Sequence, residues 1–345
     1  MRRNSAQLTT LLSLAAGFIG ASVATASADP VADFYRGKKI DLIIGYSSGG
    51  TYDLYARLVG RHIGNHIPGS PLVVARNMPG AGSRTAANWV MNVGAKDGTI
   101  LGATEQSLAV AQAMGDKLLP VDVTRFIYIG NPNSENNTTA TWHAAGIRTI
   151  EDAKKREVTM GATGGSTSSQ YPRVMNALIG TKFKVILGYP GGNDINVAME
   201  RREVDGRGSN SWASWKSTRA DWVRDKKIDI LVQIGLTKAA DLPDVPLMID
   251  LATNDEDRKI MHLFSVSGAI GRPLYTSPGV PDDRVKAMRS AFMATMKDPK
   301  FLADAKVGNF DIEPVSGEDL QKLIADVVAT PPAIAERAKK IIDGG

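Results

Sequence analysis

Apolar and polar positions alternate along this chain in a recurring order. Ile40, Leu42, Ile43 and Ile44 form a continuous apolar run that predicts a buried strand. Ser47, Ser48, Gly49, Gly50 and Thr51 follow as a polar, glycine-rich turn, and Asp53 opens an amphipathic helix. The order then repeats. Pro71 to Ala75 predicts a short strand, Asn77 to Ser83 a turn, and Ala86, Ala87, Trp89 and Val90 mark a helix. Asp97-Gly98-Thr99 turns into a strand at Ile100 to Thr104, with a helix from Gln106 to Met114. Phe126 to Gly130 predicts a further strand, and the polar stretch Asn131 to Thr139 is expected to lead out of this first unit.

A second series of the same kind follows. It predicts a helix at Glu151 to Arg156, a strand at Val158 to Gly161, a Gly/Ser/Thr-rich turn from Ala162 to Ser169 and a helix to Ile179. A strand at Lys184 to Leu187, a helix at Asp194 to Arg201, a strand at Val204 to Arg207, a helix around Trp212 to Val223 and a strand at Ile228 to Ile234 complete it. Beyond the extended connector Leu242 to Pro246, Phe264 to Ile270 is expected to return as a strand, and the rest is helical: Asp282 to Met296, Pro299 to Lys306, Glu318 to Ala329 and Pro332 to Ile342. Alternating strands and helices imply an α/β protein with mostly parallel sheets flanked by helices. Two series in 345 residues imply two lobes, expected at 29–130 plus 262–345 and at 131–261.

The first 28 residues stand outside this scheme. Arg2 and Arg3 precede a weakly apolar run, Leu8 to Val23, and Ala26-Ser27-Ala28 has the form of a signal-peptidase site. Export without anchoring is therefore expected, most simply to a bacterial periplasm. The absence of cysteine removes lipid attachment at the leader, disulfides and thiolate chemistry. The net charge of +5 becomes weaker once the two leader arginines are gone. Basic and acidic residues are interleaved, with no basic run longer than Lys154-Lys155-Arg156, so nucleic acid is excluded as a partner and a weak pull on small anions remains.

The chemistry lies in the turns. A strand, a tight turn and a helix N-terminus aim several backbone N–H groups and the positive end of a helix dipole at one spot, a seat for an anion or a developing oxyanion. Gly164 and Gly165 offer a second seat at the matching point of the second series. Gly45 to Gly49 also fits G-x-S-x-G, the nucleophile elbow of serine hydrolases, with Ser47 as nucleophile. Its partners would have to come from His62 and His66 in the next helix, His143 near a strand end, or His262 in an apparent helix, and none is well placed. His62 and His66 have metal-pair spacing but no third ligand, and are expected to face solvent. Neither turn carries G-x-G-x-x-G and no P-loop is present, so no cofactor is expected. Arg57, one helical turn after Asp53, is expected to be its ion-pair partner.

The segments IIGYSSGGTYDLYARL, NMPGAGSRTAAN, KDGTILGATEQS, GATGGSTSSQY, GYPGGNDI, LPDVPLMIDL and SPGVPDDRVKAMRSAFMATMKDPKF occur in order across nearly the whole mature length. In them the chain resembles the substrate-binding receptors of tripartite tricarboxylate transporters, the Bug family. The resemblance implies a two-lobed, type II periplasmic-binding-protein fold and a non-catalytic monomer. It would close on a small organic carboxylate and hand it to a large and a small integral membrane subunit. It implies one jaw at Tyr46, Ser47, Ser48, Gly49, Gly50, Thr51 and Asp53, and another at Thr163, Gly164, Gly165, Ser166, Thr167, Ser168, Ser169 and Gln170. Gln106, Tyr189, Gly191 and Asp194 join these from the matched segments. The same fold also serves ligand-sensing partners of signalling receptors. Tyr46-Ser47-Ser48-Gly49-Gly50 stands where the family often has aromatic-Pro-Ala-Gly-Gly, and Gln170 where a histidine is frequent. Arg207, Ser209 and Asn210 occupy a usually more apolar strand end, where Arg207 is a candidate for ligand or interlobe contact and Ser209 for a polar distal contact.

Overall fold

The structure, a computed structural model, describes residues 29–134 and 136–344. The expected signal peptide lies outside the described residues. The strands are β1 (Lys39–Ile44), β2 (Leu72–Asn77), β3 (Ile100–Ala103), β4 (Ile127–Asn131), β5 (Asn137–Trp142), β6 (Val158–Gly161), β7 (Phe183–Ile186), β8 (Gly206–Ser211), β9 (Ile228–Ile234), β10 (Leu274–Thr276) and β11 (Val315–Ser316). They form a six-stranded sheet in the order β11-β4-β10-β3-β1-β2 and a five-stranded sheet in the order β7-β6-β8-β5-β9. Helices flank both, giving two α/β lobes. The sheets are mixed, not mostly parallel as expected, because the chain crosses between the lobes and re-enters each sheet in the opposite direction. β1 pairs in parallel with β2 and β3, while β10 runs antiparallel to both β3 and β4. In the second sheet β6 is parallel to β7 and β8, and β5 is antiparallel to β8 and β9. β5 and β10, the first strand of the second sheet and the strand that returns to the first sheet, are antiparallel to their neighbours, and β11 is antiparallel to β4.

β1 is buried on both faces, which is why its apolar residues run without a break. Leu42 and Ile44 pack with Leu58, Val59, Phe292 and Phe301 on one side. Ile43 packs with Val90 and Leu108 on the other, in a cluster that continues to Tyr171, Val174 and Phe264 near the second sheet. Trp215 and Trp222 anchor a third cluster with Ile195 and Ala198.

Three sequence expectations are corrected. Phe264 to Ile270 is helical: a helix spans Asp255–Ser265, a short one Ser267–Ile270, and the returning strand is β10. Asn254 caps the first of these by accepting from the Asp257 amide at 2.9 Å, three acids fill its first turn, and Ile260, Met261 and Phe264 bury one face. The polar stretch taken as a passage contains β5, whose Thr138, Thr139 and Thr141 are fully buried. Each hydroxyl donates to a carbonyl, of Asn210, Gly208 and Ile147 respectively, which removes the cost of burying them in a sheet that suits their branched side chains. Glu151 to Arg156 forms only a 3₁₀ turn at Asp152–Lys154.

Candidate functional site

The turn after β1 is held from below by Asp53. This buried carboxylate accepts from the Gly49 amide at 3.0 Å, Asn77 Nδ2 at 2.7 Å and Arg57 Nε at 2.8 Å, so the expected ion pair with Arg57 is present. Asp53 is thereby turned away from the cleft. Gly49 has φ of +82°, a left-handed conformation that favours glycine, and Gly50 caps the helix Thr51–Ile63. In the other lobe Ser166 caps the helix Thr167–Ile179, its side chain accepting from the Ser168 amide.

The two helix starts face each other across a small cavity of about 50 Å³. Tyr46, Gly50, Thr51 and Gln106 line it from the first lobe, and Thr163, Ser166, Thr167, Ser168, Arg207 and Ser209 from the second. The other expected residues lie around it. Ser47 donates to Asp194 at 2.8 Å across the lobes, and Gly191 packs so closely on Ser47 that a Cβ would sit 2.2 Å from its Oγ. Ser48 and Gly49 are exposed. Gly164, Gly165, Ser169 and Gln170 line a separate interlobe depression with Arg84, whose Nη1 donates to the Gly165 carbonyl at 2.7 Å. The Tyr189 carbonyl accepts from Thr163 Oγ1 at 2.9 Å, and its ring is half-buried.

The cavity also takes Tyr52, Glu105, Asn137, Ser211 and Arg272, which the sequence reading did not include, and Asn210, which it noted only as part of an unusually polar strand end. Glu105 lies two residues beyond β3, and Asn210 and Ser211 end β8; the rule that ligands sit beyond the carboxyl ends of strands in open α/β sheets would have found them. Asn137 lay in the stretch read as a passage, and Arg272 followed the segment read as a strand.

Glu105 is the most buried charge lining the cavity, 2% exposed. The Tyr46 hydroxyl donates to one of its oxygens and the Thr167 amide, at the start of the second-lobe helix, donates to the other at 3.4 Å. A carboxylate of the first lobe thus occupies the helix start of the second. Desolvation raises the pKa of Glu105 above its ordinary value, and desolvation together with the Glu105 charge keeps Tyr46 protonated well above pH 10. Arg207 is the second residue of β8, level with Gly161 at the end of β6, rather than at a strand end as expected. Its Nη1 donates to the Gly192 carbonyl at 3.2 Å and to Asn196 Oδ1 at 3.1 Å, its Nε is buried without a hydrogen bond, and its guanidinium lies 5.7 Å from the Trp215 ring. Burial lowers its pKa to about 10, so it stays cationic at neutral pH. Arg272 donates to Ser211 Oγ at 2.7 Å and stacks over Tyr55.

Ser47 has no histidine beside it. His62 is buried rather than solvent-facing and pairs with Asp304 at 2.9 Å, and His66 pairs with Asp298 at 2.8 Å. Both acids belong to the segment around helix Pro299–Val307, which explains the i, i+4 spacing without a metal. Among the described residues, no group of three or more His, Cys, Asp or Glu side chains is placed to hold a metal.

The chain matches no family model and no curated protein sequence at a significant level. Solved structures do match. The periplasmic binding protein BugD superposes with a TM-score of 0.70 at 18% identity, covering 89% of this chain and 98% of BugD. MatC from Rhodopseudomonas palustris with bound malate gives 0.69 at 16% identity, covering 87% and 99%. A further R. palustris protein with adipate gives 0.68 at 16% identity, covering 88% and 97%. This chain has the periplasmic-binding-protein fold. In such a two-lobed binding fold the cavity between Glu105 and Arg207 occupies the interlobe cleft, and the contacts of Ser47, Glu105, Arg84 and Arg272 with the opposite lobe hold that cleft together.

Proposed function

We propose that this protein is an exported solute-binding receptor that captures a small organic carboxylate between its lobes and presents it to a tripartite tricarboxylate-type membrane transporter. The observation that carries the reading is Arg207: a guanidinium without a carboxylate partner among the described residues, facing a cavity walled by hydroxyls and amides. The ligand carboxylate pairs with Arg207, and Thr51, Thr163, Ser168 and Ser209 supply neutral donors around it. The resemblance of the ordered sequence segments and the fold shared with BugD and the malate- and adipate-bound proteins support this reading. The protein acts by closing, and a ligand shifts the open-closed balance only by its differential affinity for the closed form. The periplasm is its place of action and a monomer its working form. The transporter's large and small membrane subunits supply the span, since no helix of the described residues is long and apolar enough to cross a membrane.

A thermal-shift screen against mono-, di- and tricarboxylates, aromatic acids and amino acids tests the reading. A ligand at a thousand times its dissociation constant adds about 4 kcal/mol of stability. A rise in melting temperature with a carboxylate supports it. A rise confined to neutral compounds overturns it.

A further inference from the structure

The second-lobe turn and helix start serve two separate spaces. Thr163, Ser166, Thr167 and Ser168 line the small cavity, whereas Gly164, Gly165, Ser169 and Gln170 line the interlobe depression, and the two spaces have no lining residue in common. The depression measures about 510 Å³ against about 50 Å³ for the cavity. Small-molecule sites occupy about 300–1,000 Å³, are lined mainly by apolar groups and gather where two lobes meet. The walls here come from both lobes. Leu118, 81% exposed, stands on the first-lobe side, and Leu187, 50% exposed, on the second-lobe side, with Ile342 of the C-terminal helix beside them. Large apolar side chains exposed around one concavity mark a place where something binds.

The charges lining the depression are Arg84, Asp116, Arg173, Lys339 and Asp343. Arg84 pairs with Asp116 and donates to the Ala81 and Gly165 carbonyls at 3.1 and 2.7 Å. Lys339 lies 3.6 Å from Asp343. Arg173 alone has no carboxylate partner among the described residues; its Nη1 donates to the Ile342 carbonyl at 2.8 Å. One positive charge is left over. Two polar atoms are also unused: Gln170, 3% exposed, has its Oε1 buried without a hydrogen-bond partner, and so does the buried Arg84 at Nε. We propose that this depression is a second ligand site, distinct from the cavity, for a monocarboxylate with an apolar ring or branched-chain body. Arg173 holds the carboxylate, and Leu118 and Leu187 cover the body from opposite lobes. A second carboxylate on the ligand would fall among the leucines or beside Asp116 and Asp343, and a neutral molecule would leave Arg173 uncompensated. Because each lobe supplies a wall, occupancy favours the closed form and by linkage tightens binding in the cavity. The proposal goes beyond the receptor reading and is independent of which acid the cavity takes.

Phenylacetate and its uncharged analogue 2-phenylacetamide test the site by isothermal titration. Arg207→Ala, which removes the guanidinium of the cavity, is expected to bind phenylacetate within about two-fold of wild type, as distant sites act independently. Both proteins are expected to bind phenylacetate at least about ten-fold more tightly than 2-phenylacetamide. Arg173→Ala is expected to weaken phenylacetate at least about ten-fold. Leu187→Asp, at an exposed position outside the core, is expected to do the same and keeps the test valid if loss of the Ile342 contact disturbs Arg173→Ala. Small-angle scattering of Arg207→Ala is expected to give a smaller radius of gyration at saturating phenylacetate. Binding that is lost in Arg207→Ala yet kept in Arg173→Ala and Leu187→Asp puts the acid in the cavity, which overturns the second site and leaves the receptor reading standing. Equal affinities for phenylacetate and 2-phenylacetamide, no binding of phenylacetate to wild type, or an unchanged radius at saturation each overturns the proposal.

Discussion

Ser47 Oγ donates to Asp194 Oδ2 at 2.8 Å, tying the turn after β1 to the helix Gly192–Glu200 of the opposite lobe. The bond joins the two lobes, and neither residue lines the cavity.

Asp194→Ala is expected to move the unliganded protein toward the open form. A hydrogen bond to a charged group contributes about 1.5–3 kcal/mol, and partial exposure reduces this one to about 1 kcal/mol, roughly five-fold in the closed population. Small-angle scattering should show a larger radius of gyration, and ligand affinity should fall by a similar factor. Ser47→Ala should do the same and should change no ester-hydrolysing activity. Unchanged scattering in both variants would show that the bond does not control closure.

Gly208 in β8 lies under the helix Thr167–Ile179. A Cβ there would sit 2.0 Å from the Ser168 carbonyl oxygen and 2.7 Å from Pro172 Cγ. Neither neighbour is the end of a flexible side chain. Gly208→Ala should therefore push the second jaw outward and cost about 1–3 kcal/mol or more, as overpacking does. Urea unfolding measures this, and a variant as stable as wild type would mean the helix slides freely over the sheet.

Glu105 gives the unliganded protein a pH dependence of definite sign. Its pKa is raised in the folded state by desolvation, above the ordinary value of 4.5 that it regains on unfolding. Between these values the native state holds the proton more tightly, so stability falls as pH rises through that window. Glu105→Gln should flatten the fall. Melting temperatures from pH 4 upward, in wild type and variant, check it; parallel curves would contradict the assignment to Glu105.

Where residue type and local pattern agree, the sequence already carries the structure. The glycine-rich turns at Gly49 and Gly165 and the Asp53–Arg57 pair follow from spacing and turn chemistry alone, while the helices after the turns begin at Thr51 and Thr167, earlier than the expected Asp53 and the residues beyond Ser169. Arg207 stood out because an arginine between two glycines in a strand is unusual. Glu105 and Arg272 did not, because their place depends on how the lobes meet, which local pattern does not encode. β5 was hidden for a different reason. Its threonines look polar in sequence and become core only when their hydroxyls find carbonyls on β8 and at Ile147, in the loop that follows β5. Phe264 to Ile270 misled because an apolar run of strand length is divided between the end of a helix whose cap lies ten residues before Phe264, at Asn254, and the short helix Ser267–Ile270.

The most direct measurement is the affinity of the best-binding acid for wild type and for Arg207→Ala, by isothermal titration. Removing one partner of a desolvated charge pair costs about 2–5 kcal/mol. The variant is expected to bind at least about 30-fold more weakly, with Arg207→Lys between the two. Equal affinities in wild type and Arg207→Ala would contradict the central claim that this guanidinium holds the ligand's acidic group.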